Sequence, residues 1–172
     1  MLMPNARNIS FIVFDVDGVL TDGAIQFDDH GTETKNFHVR DGFAMRAAMR
    51  LGIKIGILTG RSSQCVTLRM DELGIDLLMQ GSKNKAIGLE TLCQQAGVEM
   101  SETAFMGDDI PDLPAMLRCG YKIAPADAAV EVRGIADFIT QTPGGKGAAR
   151  EAIEHILKAQ DKWEDVLEEF GI

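Results

Sequence analysis

Apolar residues in this chain occur either in short unbroken runs or at helical spacing, a pattern typical of alternating strands and helices. The first run, Phe11 to Phe14, is β-branched and aromatic without polar alternation, which predicts a strand covered on both faces. Further strands are predicted at 54–58, 77–79, 103–106, 121–124 and 138–140, and helices at 41–51, 63–73, 85–96, 110–118 and 128–133. Because such alternation with short links produces parallel sheets, we expect one α/β domain over residues 1–172.

Two segments depart from this alternation. Residues 24–38 contain two runs of β-forming residues around a turn with Gly31, which predicts a hairpin just beyond the first strand. Residues 147–172 carry apolar positions three to four apart, which predicts a C-terminal helix and a helical tail. The apolar stripe of the tail either packs on its own core or docks on a neighbouring subunit. Asp41 is the predicted N-cap of the helix that follows the hairpin.

Composition restricts the classes of function. The net charge of −9 argues against a general nucleic-acid binder or a protein of anionic membrane surfaces. The three cysteines form no Cys-x-x-Cys pair, which suits buried thiols in a reducing compartment. Residues 1–10 contain no secretory hydrophobic segment and no run approaches the length of a membrane span, so a cytoplasmic protein is expected.

Polar side chains follow four of the predicted strands. Asp15 and Asp17 come after the first strand, Thr59 after the second, Lys83 and Lys85 after the third, and Asp108 and Asp109 after the fourth. Ligands of parallel sheets bind at the carboxyl ends of the strands, so these residues are expected at one edge. In isolation, Asp17-Gly18 is more often a simple turn at a strand end than part of a site.

This set of side chains suits phosphoryl transfer. Mg²⁺ and one lysine would place three positive charges against about four negative ones, counting a phosphate dianion, Asp15 and Asp108. Mg²⁺ accepts few carboxylates and keeps waters, whereas the three histidines lack the spacing of a Zn²⁺ site.

Four segments, in this order, resemble the motifs of the haloacid dehalogenase-type phosphatases. They are Asp15-Val16-Asp17-Gly18-Val19, Leu58-Thr59-Gly60-Arg61, Lys85, and Gly107-Asp108-Asp109-Ile110-Pro111-Asp112. The resemblance covers roughly residues 11 to 153 and implies a doubly wound parallel sheet. It also implies that Asp15 attacks phosphorus to form an aspartyl phosphate, while Asp17 protonates the leaving oxygen and later activates water.

The same resemblance implies roles for the remaining motif residues. Mg²⁺ would be held by the carboxylates of Asp15 and Asp108 and by the main-chain carbonyl of Asp17. Asp109 and Asp112 would orient these ligands or reach the ion through water. Thr59 would donate a hydrogen bond to the phosphoryl group, and the family's lysine corresponds to Lys85 rather than Lys83.

The chain has no room for a cap domain, because only a hairpin and one helix separate Asp17 from Thr59. The chain resembles the capless members of the family, and this resemblance implies a sugar-acid phosphate as substrate and a homotetramer whose subunits help to close each other's sites. An eight-carbon keto-sugar acid phosphate is the implied substrate, with a nine-carbon one as the alternative. The implied substrate contacts are Asp17, His38, Val39, Arg40, Asp41, Gly42, Arg46, Gly60, Arg61, Arg69 and Lys85. Arginines in an acidic chain suit a substrate carboxylate, although Arg46 and Arg69 are equally explained as solvated helix residues.

Two other classes of protein share part of this pattern. A response-regulator receiver also gathers acids, a hydroxyl and a lysine at strand ends, but its phosphorylated aspartate follows the third strand, where this chain has Leu78-Met79-Gln80. A non-catalytic oligomerisation domain of phosphatase-like fold is the second alternative. The presence of every catalytic position in this chain favours an enzyme.

Overall fold

The computed structural model describes residues 6–172. Residues 1–5, which belong to the segment 1–10 expected to contain no secretory signal, lie outside the described residues. The strands are β1 (Phe11–Phe14), β2 (Gln26–Phe27), β3 (Glu33–Thr34), β4 (Lys54–Leu58), β5 (Leu77–Met79), β6 (Thr103–Met106), β7 (Tyr121–Ala124) and β8 (Phe138–Ile139). Six of them form a sheet in the order β5-β4-β1-β6-β7-β8, in which every neighbouring pair is parallel. The predicted parallel α/β sheet is confirmed.

The helices are α1 (Val39–Arg50), α2 (Gln64–Leu73), α3 (Lys85–Ala96), α4 (Leu113–Met116), α5 (Val130–Arg133), α6 (Ala148–Ala159) and α7 (Trp163–Glu168). The helix predicted over 110–118 is wrong in part. A 3₁₀ turn, Ile110–Asp112, precedes the four residues of α4. Pro114 has no N–H to donate back along the helix, which prevents one continuous α-helix here.

Side chains of β1 alternate between two apolar layers. Ile12 and Phe14 belong to the layer that α1, α2, α6 and α7 cover, whereas Phe11 and Val13 belong to the layer under α3, α4 and α5. All four side chains are fully buried. A strand with both faces covered gains stability from apolar residues at every position, which explains the unbroken run in the sequence.

The hairpin predicted at 24–38 is confirmed, although its paired part is short. Strands β2 and β3 pair antiparallel in a separate sheet of two strands. Of its apolar side chains, Ile25 is 49% and Phe27 61% exposed. The paired part of the hairpin therefore stands apart from the apolar core and leaves apolar surface uncovered, whereas Phe37, at the end of the second arm, packs against the core.

The predicted N-cap role of Asp41 is wrong. Helix α1 begins at Val39 with His38 as its N-cap, so Asp41 lies in the first turn, where it is buried. Its Oδ1 accepts a hydrogen bond of 2.8 Å from the backbone N–H of Arg150, the third residue of α6. Gly147, the N-cap residue of α6, has no side chain to accept that bond. Asp41 therefore caps α6 from a different helix.

The three cysteines are free thiols, and Cys93 and Cys119 are buried, as predicted. Over residues 6–172, the helices are all too short or too polar to cross a membrane.

Candidate active site

The acids lie where the order of the sheet reverses. From β1 the chain passes to β4 and β5 on one side, and then returns to β6 on the other side of β1. Asp15 directly follows β1, and Asp108 follows β6 after one intervening residue. Crevices at such switch points are the usual ligand sites of open α/β sheets.

A tight turn holds the residues after β1. The carbonyl oxygen of Val16 accepts backbone hydrogen bonds from Val19, Leu20 and Thr21, at 3.2, 2.9 and 3.1 Å. Gly18 has φ +89°, and a Cβ there would lie 2.0 Å from Asp108 Oδ2. Only glycine therefore lets this turn approach the acid of β6 so closely.

Three carboxylates meet at this point. Asp15, Asp108 and Asp112 each offer an oxygen atom within 4.8 Å of the others. Asp112 is buried, and its Oδ2 accepts the backbone N–H groups of Asp108 and Asp109 at 2.9 and 3.2 Å. Asp109 is exposed, and its Oδ1 accepts the N–H of Ile110. The structure thus places Asp112, expected to act only as a support or through water, within the group that could hold a cation directly.

Lys85 is the cation closest to this group. Its Nζ lies 2.9 Å from Asp15 Oδ1 and donates a hydrogen bond to Asp112 Oδ1. Burial by itself would lower the pKa of Lys85, but Asp15 and Asp112 outweigh burial and raise it. Lys85 is therefore charged at neutral pH. Lys83 is exposed and lies outside the cavity lining.

One lysine does not balance three carboxylates. Burial, and next the charge of Asp112, raise the pKa of Asp15 to about 7, although Lys85 opposes the change. Burial, Asp112 and Asp15 likewise raise the pKa of Asp108 to about 7. Asp15 Oδ1 is buried, with the Lys85 ammonium 2.9 Å away. The excess of carboxylates over cations fits a divalent cation, which would compensate the remaining negative charge.

A cavity of about 330 Å³ opens over the acids. Thr59, Gly60 and Arg61 line it beside Asp17 and Lys85. Thr59 is buried, and the N–H of Arg61 donates to its Oγ1 over 3.4 Å. The cavity therefore has carboxylates on one side and a hydroxyl with cationic groups on the other, an arrangement that can hold a phosphoryl group beside a metal ion.

The remaining predicted substrate contacts lie elsewhere in the same chain. Arg40 lines a second cavity of about 410 Å³ with Lys146 and Arg150. The guanidinium groups of Arg46 and Arg69 both bind Glu72, at its carbonyl oxygen and its carboxylate respectively.

The other predicted substrate contacts within residues 38–42 also lie outside the cavity over the acids. His38, Asp41 and Gly42 line a narrow cleft, and Val39 is 76% exposed. One chain therefore does not bring residues 38–42 to the acids.

Two site residues were missed in the sequence, both on the second arm of the hairpin. Lys35 Nζ lies 2.5 Å from Asp17 Oδ1, and Glu33 Oε1 accepts a hydrogen bond of 2.9 Å from Arg61. The nearby Ser63 hydroxyl, followed by Arg61 and Lys35, lowers the pKa of Glu33 to about 2. Glu33 and Lys35 are two residues apart on an extended arm, so they share a face. This spacing of two residues was the feature of the sequence that could have identified Glu33 and Lys35 as site residues.

Comparison with known proteins gives consistent results. The family model of haloacid dehalogenase-like hydrolases matches residues 36–120. The 3-deoxy-D-manno-octulosonate 8-phosphate phosphatase of Haemophilus influenzae is 44% identical over 91% of this chain and 87% of its own length. The corresponding enzyme of Escherichia coli K12 is 39% identical over 95% of this chain and 87% of its own.

Solved structures agree with these matches. The cobalt-bound H. influenzae phosphatase superposes with a TM-score of 0.90 over 92% of each chain, at 44% identity. The Moraxella catarrhalis phosphatase, solved in complex with a magnesium ion, a phosphate ion and KDO, reaches 0.93 at 42% identity and covers 96% of this chain and 95% of its own.

Proposed function

Since the chain belongs to the haloacid dehalogenase-like hydrolases, we propose that it hydrolyses 3-deoxy-D-manno-octulosonate 8-phosphate to the free sugar acid and phosphate. It is a phosphoric monoester hydrolase with Mg²⁺ as cofactor, and its reaction belongs to the synthesis of lipopolysaccharide precursors. The observation that carries the chemistry is the meeting of Asp15, Asp108 and Lys85 in one cavity with Thr59. The substrate is supported by the 44% identity to the H. influenzae phosphatase.

The proposed nucleophile is Asp15. Its carboxylate attacks phosphorus, the bond from phosphorus to the sugar oxygen breaks, and an aspartyl phosphate forms on Asp15. Asp17 gives a proton to the departing sugar oxygen and then takes one from the water that hydrolyses the aspartyl phosphate. Thr59, the neighbouring N–H groups and Lys85 bind the phosphoryl oxygens. The positive charge of Lys85 also reduces the electrostatic repulsion between the substrate phosphate and the carboxylates of Asp15 and Asp112.

Asp15, Asp108 and Asp112 are the carboxylates of this chain that would hold the metal, with the main-chain carbonyl of Asp17 as a further proposed ligand. When bound, Mg²⁺ neutralises charge on the carboxylates and on the phosphoryl oxygens. Support for Asp112 as a third carboxylate ligand comes from its oxygen, which lies within 4.8 Å of those of Asp15 and Asp108. Because Asp112 accepts two backbone N–H groups and contacts Lys85, it also fixes the loop that carries Asp108.

Asp15→Asn tests the reaction. The amide is a poor nucleophile, so we expect phosphate release from 3-deoxy-D-manno-octulosonate 8-phosphate with Mg²⁺ to fall by at least about 10³-fold. Asp29→Asn, in the exposed hairpin turn, is the matched control and should behave as wild type. Lys85→Ala should lose far more activity than Lys83→Ala. Turnover by Asp15→Asn close to that of wild type would contradict the mechanism.

We further propose a homotetramer in the cytoplasm. The exposed Ile25 and Phe27 of the hairpin support self-association, because contiguous exposed apolar side chains commonly mark interfaces. An assembly would also allow residues 38–42 and Arg46 to contribute to a neighbour's cavity rather than to their own. The three free thiols support a reducing compartment.

A further inference from the structure

The hairpin reaches the site through one lysine. The side chain of Lys35 is 1% exposed, although it stems from an otherwise exposed arm of two-residue strands. Its Nζ lies 2.5 Å from Asp17 Oδ1 and 3.4 Å from Glu33 Oε1. A buried ammonium group is costly unless it is paired, and these two carboxylates supply the pairing.

The contacts of Lys35 belong to a closed ring of charges. Arg61 donates to Glu33 Oε1 at 2.9 Å, and its Nε lies 3.7 Å from Asp17 Oδ2. Asp17 and Glu33 therefore alternate with Lys35 and Arg61 around the ring. The thiol of Cys65, on α2, also donates to the carbonyl oxygen of Glu33 at 3.2 Å. The hairpin arm is thus attached both to the turn after β1 and to the segment after β4.

The two oxygens of Asp17 are not equivalent in this ring. Oδ1 is in direct contact with the Lys35 ammonium, whereas Oδ2 faces Arg61 at 3.7 Å, beyond hydrogen-bond distance. A carboxylate oxygen can accept more than one hydrogen bond, but the Lys35 ammonium at 2.5 Å holds Oδ1 in place and hinders approach to it. Oδ2 remains available and belongs to a residue that lines the cavity over the acids.

We propose that Lys35 is a positioning residue, which fixes the carboxyl group of Asp17 so that Oδ2 exchanges the proton with substrate and water. As the bond from phosphorus to the sugar oxygen breaks, the proton on Oδ2 passes to that oxygen, and Asp17 is left as a carboxylate. In the second step Oδ2 takes a proton from the attacking water. This inference rests on the proposed function, because it assigns Lys35 a part in that reaction.

The test compares two leaving groups. The sugar alkoxide of 3-deoxy-D-manno-octulosonate 8-phosphate needs a proton to depart, whereas the nitrophenolate of p-nitrophenyl phosphate does not. We expect Lys35→Met to lower kcat/KM about 30- to 100-fold for the sugar phosphate and less than about 3-fold for p-nitrophenyl phosphate. Asp17→Asn should show the same selectivity, and Lys35→Arg should restore most of the loss. Lys83→Met, an exposed lysine outside the cavity, should match wild type on both substrates.

An equal loss on both substrates would overturn the inference, since it would mean that Lys35 only supports the fold or the hairpin. Wild-type values on both would overturn it as well. If circular dichroism shows that Lys35→Met is unfolded, Lys35→Gln is measured with the same criteria.

Failure of the proposed function is a different result. In that case wild type releases no phosphate from the sugar phosphate, and the comparison is made with another alkyl phosphate that it does hydrolyse. A wild-type protein that hydrolyses no alkyl phosphate overturns both proposals.

Discussion

Asp15 and Asp17 are two residues apart in the chain, but their side chains have different neighbours. Asp15 is buried beside Asp108 and Asp112 and shares Lys85 with the latter. Asp17 is partly exposed and contacts Lys35 from the hairpin. These two surroundings suit the proposed roles of Asp15 as a nucleophile beside the metal ligands and of Asp17 as an acid that faces the leaving group. Extended chain would place residues two apart on one face, but the tight turn closed by the hydrogen bonds to the Val16 carbonyl separates the two carboxyl groups.

In the metal-free protein, the charge of Asp108 lowers the free energy of unfolding. Its pKa is about 7 in the fold, raised from 3.8, so the folded state binds more protons than the unfolded state between these values. The free energy of unfolding therefore falls as pH rises through this window. At pH 8 in EDTA we expect Asp108→Asn to be more stable than wild type, by on the order of 2 kcal/mol, because asparagine carries no charge.

Urea denaturation of both proteins at pH 8 and pH 5 measures this difference. The advantage of Asp108→Asn should shrink at pH 5, where Asp108 is protonated in the folded wild type. Adding Mg²⁺ should stabilise wild type and leave the variant largely unchanged. The exposed Asp29→Asn, in the hairpin turn away from the acids, is the control. A variant that is less stable than wild type at both pH values would contradict the expectation.

At the scale of elements, the pairing of α1 with α6 shows how one carboxylate connects distant parts of the chain. Asp41 on α1 accepts the N–H of Arg150 in the first turn of α6. The loop before α6 packs against the turn after β1, since Gly145 donates to the carbonyl oxygen of Val19 over 2.9 Å. A Cβ on Gly144 would lie 1.8 Å from the carbonyl oxygen of Gly18. The cap on α6 therefore supports the loop behind the catalytic turn.

Asp41→Ala removes this cap. We expect it to lower the free energy of unfolding by about 1–2 kcal/mol, as loss of an N-cap acceptor does elsewhere. Asp41→Asn keeps an oxygen acceptor. Burial raises the pKa of Asp41 to about 6, so above that pH the folded protein carries a buried charge that destabilises it. Asp41→Asn removes this charge. Its loss in the free energy of unfolding should therefore be smaller at pH 8 than at pH 5.

Urea denaturation checks both Asp41 variants, with the exposed Asp29→Ala as the control, expected within about 0.5 kcal/mol of wild type. At pH 5, where Asp41 is mostly protonated, wild-type stability of Asp41→Ala would show that the bond to Arg150 contributes nothing.

At the scale of the whole molecule, residues 6–172 form no cap domain, and the hairpin is the part that covers the site. Part of that hairpin is anchored by Lys35, while Phe27 stays 61% exposed. For a chain with a net charge of −9, association through the apolar hairpin avoids bringing acidic surfaces together. Residues 38–42, which follow the hairpin directly, would then lie near the neighbouring subunits.

Light scattering at micromolar concentration tests the tetramer. We expect wild type to have four times the mass of a single chain, and Phe27→Asp to form a smaller species with reduced activity on the sugar phosphate. Leu117→Asp changes a side chain that is 65% exposed outside the hairpin and should keep the tetramer. A wild-type protein with the mass of one chain would contradict closure of the site by neighbours.

The sequence by itself determined the order of strands and helices, since runs of apolar residues and helix-ending glycines are local signals that survive without tertiary context. Strands 54–58, 77–79, 103–106 and 121–124 agree in both bounds with β4, β5, β6 and β7. The order of the motifs also placed Asp15, Thr59, Lys85 and Asp108 at one edge, because parallel strands end on the same side of a sheet.

Only the tertiary structure decided which side chains meet. Asp112 joins Lys85 across 27 residues of sequence, Lys35 meets Asp17 across 18, and Asp41 caps α6 across 109. Such contacts depend on the distances between elements after packing, and the periodicity of a single segment carries no information about them. For the same reason Asp41 was predicted to cap its own helix, and Lys35 was not predicted to lie in the site at all.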